Sequence, residues 1–223
     1  MKKYVIIVAG GSGSRMQSDI PKQFLVLHGL PVLMHTINLF KRYDAAIEVI
    51  LVLPVEQIVF WEDLCKLYKY TLDIKVVAGG KTRFNSVKNG LQEISAEGVV
   101  AIHDGVRPFA SIDTITNAFH KASALGAAIP VLDMQESLRF ADENTNYAVN
   151  RDNLKVVQTP QVFKTSIIKS AYEKEYAPEF TDDASVVERA GFKIELIKGN
   201  RENIKLTTPF DLKIGEAIFN ENM

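Results

Sequence analysis

The stretch Tyr4-Val5-Ile6-Ile7-Val8-Ala9-Gly10-Gly11-Ser12-Gly13-Ser14-Arg15 decides how this chain reads. Its first half is continuously apolar and rich in β-branched residues, the pattern of a strand buried on both faces of a parallel sheet. Its second half is a glycine loop, in which backbone N–H groups can turn toward an anion with no Cβ in the way. Similar apolar runs recur at Glu48–Leu53, Ile74–Ala78, Val99–His103, Ala127–Leu132 and Lys193–Ile197. Between them lie longer stretches with helix signals. Pro31 takes the first helical position before Leu33, Ile37 and Phe40, and Ser111 is a cap ahead of Asp113. Thr208-Pro209-Phe210-Asp211 joins a cap, an N1 proline and an early acid. Strand and helix in alternation predict an open α/β sheet with helices on both faces. One stretch breaks the alternation. Ser137-Leu-Arg-Phe-Ala, the turn-like Asp142–Asn146 and Tyr147-Ala-Val read as a β-hairpin inserted at about residues 133–157. A two-stranded arm is marginal alone and needs another surface to steady it.

The chain has 223 residues, 47% hydrophobic and 24% charged, enough to bury a core without a disulfide or structural metal. Lys+Arg total 26 against Asp+Glu 27, which argues against a nucleic-acid partner but leaves room for a local cationic pocket. The one cysteine, Cys65, excludes an intrachain disulfide and a cysteine zinc site, and suits a reducing compartment. The run Tyr4–Ala9 is too short, and ends too rich in glycine, for a signal-peptide core. No run approaches bilayer-spanning length, so a cytoplasmic protein with no membrane partner is expected.

The glycine loop fails two nucleotide fingerprints. No Gly-Lys-Ser/Thr follows it, and position 16 is Met where a dinucleotide site has its third glycine. Arg15 and Lys22 follow instead, and their fixed cations suit a triphosphate; a tight turn with two surface cations is the plainer alternative. Pro21 stiffens the backbone that presents Lys22. Further polar clusters follow later strands, where open α/β sheets bind ligands. They include Gly79-Gly80-Lys81-Thr82-Arg83-Phe84-Asn85-Ser86 and His103-Asp104-Gly105-Val106-Arg107. Asp104 suits either help with a divalent cation or a simple ion pair with Arg107. The four histidines show no metal-ligand spacing. No nucleophilic triad is evident. The usable chemistry is cationic, from Arg15, Lys22, Arg107, Arg151 and Lys205, and belongs to phosphoryl or nucleotidyl transfer.

Together with Pro21-Lys-Gln, Gln158-Thr-Pro-Gln-Val-Phe, Thr181-Asp-Asp-Ala-Ser and Asn203-Ile-Lys, these motifs resemble, in order, the 2-C-methyl-D-erythritol 4-phosphate cytidylyltransferase family of the non-mevalonate isoprenoid pathway. The resemblance implies an open, mostly parallel Rossmann-like nucleotidyltransferase sheet with helices on both faces and an inserted β-hairpin arm, in a single domain spanning residues 1–223. It implies transfer of CMP from CTP to methylerythritol phosphate, with Mg²⁺ held mainly by the triphosphate and Asp104 as its protein contact. Arg15, Lys22, Arg151 and Lys205 would be catalytic. Ala9, Gly10, Gly11, Ser12, Gly13, Gly79, Gly80, Arg83, Ser86, Asp104 and Gly105 would join Arg15 and Lys22 around CTP. Asp104, Arg107, Ser137, Arg151, Thr181 and Lys205 would line the substrate side. The hairpin arm would build a homodimer and carry Arg151 into the other subunit's site. Gly105-Val106 departs from the two alanines of many members.

Three rivals have discriminators. A ribitol 5-phosphate cytidylyltransferase would prefer that alcohol. A dinucleotide-binding oxidoreductase would bind NAD(P)H rather than CTP. A catalytically silent nucleotide-binding module would bind CTP without releasing pyrophosphate.

Overall fold

The structure, a computed structural model, describes residues 1–11 and 20–221. The chain opens with β1 (Lys2–Val8), passes through a single 3-10 turn at Lys22–Phe24, and makes a small ribbon of β2 (Val26–Leu27) and β3 (Leu30–Pro31). It continues as α1 (Val32–Tyr43), β4 (Glu48–Leu53), α2 (Val55–Leu67), β5 (Lys75–Ala78), α3 (Arg83–Gln92), β6 (Gly98–Asp104), α4 (Ile112–Leu125) and β7 (Ala127–Asp133). The hairpin β8 (Leu138–Ala141) and β9 (Asn146–Val149) follows, then β10 (Lys155–Val157) and β11 (Gln161–Lys164). The chain finishes with α5 (Thr165–Ala171), α6 (Asp183–Arg189), β12 (Glu195–Lys198) and α7 (Pro209–Glu221).

Eight strands form the main sheet in the order β10-β7-β11-β6-β1-β4-β5, with β12 also paired to β7. β1 is parallel to both β4 and β6, and β4 to β5. Register places Val8 opposite both Val52 and Asp104, and Leu53 opposite Ala78. The loops leaving β1, β4, β5 and β6 therefore open on one edge of the sheet, the edge where ligands bind in this architecture. β11, antiparallel to β6 and β7, was not foreseen: Gln161–Lys164 is short and polar at both ends, and carries no strand pattern. β10 is antiparallel as well, so the sheet is mixed, though mostly parallel.

Tyr4, Val5, Ile6 and Ile7 have no exposed surface, because β1 is covered on both faces. Val5 and Ile7 pack beneath Leu33, Ile37 and Phe40 of α1 and Phe119 of α4. Tyr4 and Ile6 face Phe84 and Val87 of α3 and Ile168 of α5. Ser111 caps α4 through Thr114 N, and Thr82 caps α3 through Asn85 N. Pro31 stands one position earlier than expected, as the residue before α1 rather than its first. Its ψ of 139° is extended because Pro31 pairs with Val26 in the ribbon. The hairpin β8–β9 forms its own two-stranded sheet, closed by Asp142, whose Oδ1 accepts from Asn144 N and Thr145 N. No helix among the described residues is long and apolar enough to cross a membrane.

Ile6→Ala removes a side chain packed between sheet and helices, and is expected to cost about 2–5 kcal/mol. Exposed Leu125→Ala should stay within about 0.5 kcal/mol, and urea unfolding of the two variants checks the contrast.

Candidate active site

Two cavities lie on the carboxyl edge. The larger, about 540 Å³, runs between Gly10, Pro54, Gly79, Gly80 and Ser86. The smaller, about 300 Å³, is bounded by Asp104, Arg107, Thr159, Thr181 and Lys205. Arg83 borders both.

The 3-10 turn puts Lys22 at this edge. Buried Gln23 donates through Nε2 to Ala9 O at 2.8 Å and Gln57 Oε1 at 2.6 Å, tying the turn to the end of β1. Phe24 sinks into the core beside it. The Lys22 ammonium lies against Gly11: a Cβ there would sit 3.2 Å from Nζ, so glycine lets the lysine lie this close without shifting. Ser12, Gly13 and Arg15 lie outside the described residues.

The walls of the larger cavity are built by local bonding. Gly79 N donates to Leu53 O at 2.7 Å. The Ser86 hydroxyl accepts from Gly80 N at 3.1 Å and donates to Thr82 O at 3.0 Å, buckling the loop onto the start of α3. Ala9 and Gly105, both expected around CTP, line neither cavity. Ala9 N donates to Val52 O and its carbonyl accepts from Gln23. Gly105 N donates to Val8 O and its carbonyl accepts from Thr36. A Cβ on Gly105 would lie 2.8 Å from that of Ala9, so this glycine serves close packing of two loops.

Asp104 is the electrostatic centre of the smaller cavity. Its Oδ2 accepts from Arg107 Nε at 3.1 Å and Lys205 Nζ at 3.0 Å, and Arg83 Nε stands 4.0 Å from Oδ1. Burial alone would push this carboxyl up, but the three cations, led by Lys205, hold it well below the usual carboxylate range. Both expected readings of Asp104 thus begin from an ion pair that exists, with Lys205 as an added partner. Arg83 is fixed from behind. Asp183, fully buried, takes its guanidinium in two bonds of 2.9 and 2.6 Å, and Tyr172 Oη donates to Asp183 at 2.6 Å. Burial works against the Arg83 cation, yet Asp183 more than offsets it and raises its pKa. Gln161 completes the wall, donating to Asp182 and accepting from Ala184 N.

No cluster of three metal-ligating side chains occurs among the described residues. A resident divalent cation does not fit Asp104 alone amid three cations. A cation that arrives on phosphate oxygens needs only one or two carboxylate ligands, and the Oδ1 side of Asp104 can supply one.

Arg151 and Ser137 lie elsewhere. Both are exposed at the base of the hairpin, and Arg151 Nη1 donates to Gln135 O. Neither lines either of these two cavities. Asp183, Gln23 and Asn203 are the positioning residues that sequence reading missed. The one sequence cue is that Asp183 follows Asp182 in an acid pair, whose first member caps α6 and whose second is free to turn inward.

Comparison with known proteins agrees with this geometry. The family model described as IspD, 2-C-methyl-D-erythritol 4-phosphate cytidylyltransferase, matches residues 3–221. The protein of that name from Bacteroides thetaiotaomicron is 53% identical over 98% of this chain and 100% of its own. That from Porphyromonas gingivalis is 50% identical over 97% of each chain. The crystal structure of 4-diphosphocytidyl-2C-methyl-D-erythritol synthase from Anaerococcus prevotii superposes with a TM-score of 0.82 at 30% identity, covering 98% of this chain and 96% of that one. The Thermus thermophilus cytidylyltransferase gives 0.80 at 30% identity, covering 99% and 100%. With Lys22 beside Gly11 and the cation-ringed aspartate at the same sheet edge, the chain belongs to the 2-C-methyl-D-erythritol 4-phosphate cytidylyltransferase family.

Proposed function

We propose that the two cavities divide the substrates of cytidylyl transfer between them, CTP in the larger and methylerythritol phosphate in the smaller. The enzyme transfers CMP from CTP to 2-C-methyl-D-erythritol 4-phosphate. A phosphate oxygen of the alcohol phosphate attacks the α-phosphorus of CTP; the bond to the β-phosphate breaks and pyrophosphate leaves. The nucleophile is already anionic, so no strong general base is needed. The obstacle is repulsion between two anions, together with the charge gathering on the α-phosphorus. The observation that carries this reading is the set of cations on one sheet edge: Lys22 against Gly11, and Arg83, Arg107 and Lys205 around Asp104.

Lys22, with Arg15 of the glycine loop, meets charge developing at the α-phosphate. Lys205 and Arg107 receive the incoming phosphate, with Thr181 at the rim. Gly10, Gly79, Gly80 and Ser86 offer a close-fitting wall for the nucleoside. Asp104 would be the carboxylate to hold a divalent cation carried by the triphosphate, which would supply charge neutralisation there. The hairpin arm supports a homodimer. Phe140 and Tyr147 stack at 5.1 Å while remaining 44% and 53% exposed, and Leu154, Val156 and Val157 add apolar surface beside them. Arg151, exposed at the arm's base, is then the residue offered to the partner's substrate cavity. One cysteine and no disulfide suit the cytoplasm.

Lys22→Ala is expected to lower kcat about 10²–10³-fold while CTP binding weakens far less, since the charge Lys22 meets is largest in the transition state. Pyrophosphate release and CTP titration measure the two effects, and retained turnover would remove Lys22 from the chemistry. Mixing inactive Arg151→Ala with inactive Lys22→Ala protein, after subunit exchange, should restore part of the activity. No recovery despite demonstrated exchange would place the whole site in one chain.

A further inference from the structure

Four side chains behind the smaller cavity close a ring of hydrogen bonds. Arg107 Nη1 donates to Asn203 O at 2.8 Å, and Asn203 Nδ2 donates to Thr159 O at 2.8 Å. His103 is bonded through Nδ1 to Thr159 Oγ1 at 3.1 Å and through Nε2 to Arg107 O at 2.9 Å. A carbonyl oxygen can only accept, so Nε2 carries the proton, and in a neutral ring Nδ1 then accepts from the Thr159 hydroxyl. All four bonds then run in one direction around the ring. The Thr159 hydroxyl also accepts from Asp104 N at 3.1 Å, which its donation to His103 leaves it oriented to do. The ring joins three distant segments, residues 103–107, 159 and 203, and Lys205 lies two residues beyond the last.

Arg107 and Thr159 line the smaller cavity, whereas His103 and Asn203 line neither. His103 has no exposed surface, and its ring packs edge-on against Phe40 at 4.9 Å. A charge on a ring this buried, with a carbonyl and a hydroxyl but no carboxylate bonded to its nitrogens, would be costly, so the ring is read as neutral.

Taking the smaller cavity as the alcohol-phosphate site, we infer that His103 is a positioning residue that sets Arg107, Thr159 and Asp104 for the substrate phosphate. Neither of its ring-nitrogen bonds goes to a residue that lines the nucleotide cavity. Its loss should therefore fall on one substrate.

Three substitutions of His103, one of Arg107 and one measurement on the unaltered protein test this. His103→Phe keeps the packing on Phe40 and removes both nitrogens. His103→Gln can keep the bond to Arg107 O, and His103→Asn the contact with Thr159. Breaking one buried bond in the ring is expected to raise the KM for methylerythritol phosphate about tenfold, with the KM for CTP within about twofold, and Gln and Asn should fall between wild type and Phe. An unchanged KM for the alcohol phosphate in folded variants would overturn the inference, as would an equal rise for both substrates. Arg107→Ala in the same assay separates the two assumptions. If it leaves the alcohol-phosphate KM unchanged, the cavity assignment fails and the inference falls with it. If it raises that KM while the His103 variants do not, the inference alone fails. ¹⁵N NMR of wild-type protein needs no variant to fold: a ring with its proton on Nε2 and a bare Nδ1 is expected, and a proton on Nδ1 would overturn the assignment.

Discussion

The site depends on one carboxylate. Cations gathered to receive two phosphates would repel one another before the phosphates arrive. Asp104 supplies the missing counter-charge and lets Arg83, Arg107 and Lys205 stand within 4.0 Å of its oxygens. The three are not held alike. Arg83 is locked by the two bonds of buried Asp183, and Arg107 is tied to Asn203 O. Lys205 is the most exposed, 42% against 32% and 14%, and its ammonium is a point charge on a flexible stem. That difference suits its place: two planar guanidinium groups form fixed walls, and the lysine can follow a moving phosphate.

The parallel sheet makes the gathering possible. Register aligns the ends of β1, β4, β5 and β6, so loops from four parts of the sequence open together. Glycine then decides how closely they approach. Gly11 leaves room for the Lys22 ammonium, and Gly105 lets the loop after β6 rest on Ala9. Rigidity comes from buried polar groups turned to loop backbone, as in Gln23 beneath the Lys22 turn. Such preorganised charge reduces the reorganisation needed at the moment of reaction.

Much of this was legible in the sequence because it is local. The run Glu48–Leu53 coincides with β4, and the caps at Thr82 and Ser111 act as their residue types require. Of the expected cations, Arg107 and Lys205 stand around Asp104 and Lys22 beside Gly11, at the edge that strand ends and loop chemistry point to. What escaped reading is long-range. Arg83 meets Asp183 across 100 residues, and Asn203 meets Thr159 across 44, with no periodicity to announce either pair. β11 is too short to signal itself, and its place between β6 and β7 is set by the sheet. For Ala9 and Gly105 the sequence shows motif membership, and only the fold shows that their loops pack on one another.

A crystal structure with CTP, a divalent cation and methylerythritol phosphate bound tests the central claim most directly. The account expects Lys22 Nζ and Arg15 at the α-phosphate, and Lys205 Nζ on the substrate phosphate while Asp104 stays within reach of it. A complex in which the α-phosphate lies away from Lys22, or in which Lys205 and Arg107 both point away from the bound alcohol phosphate, would contradict it.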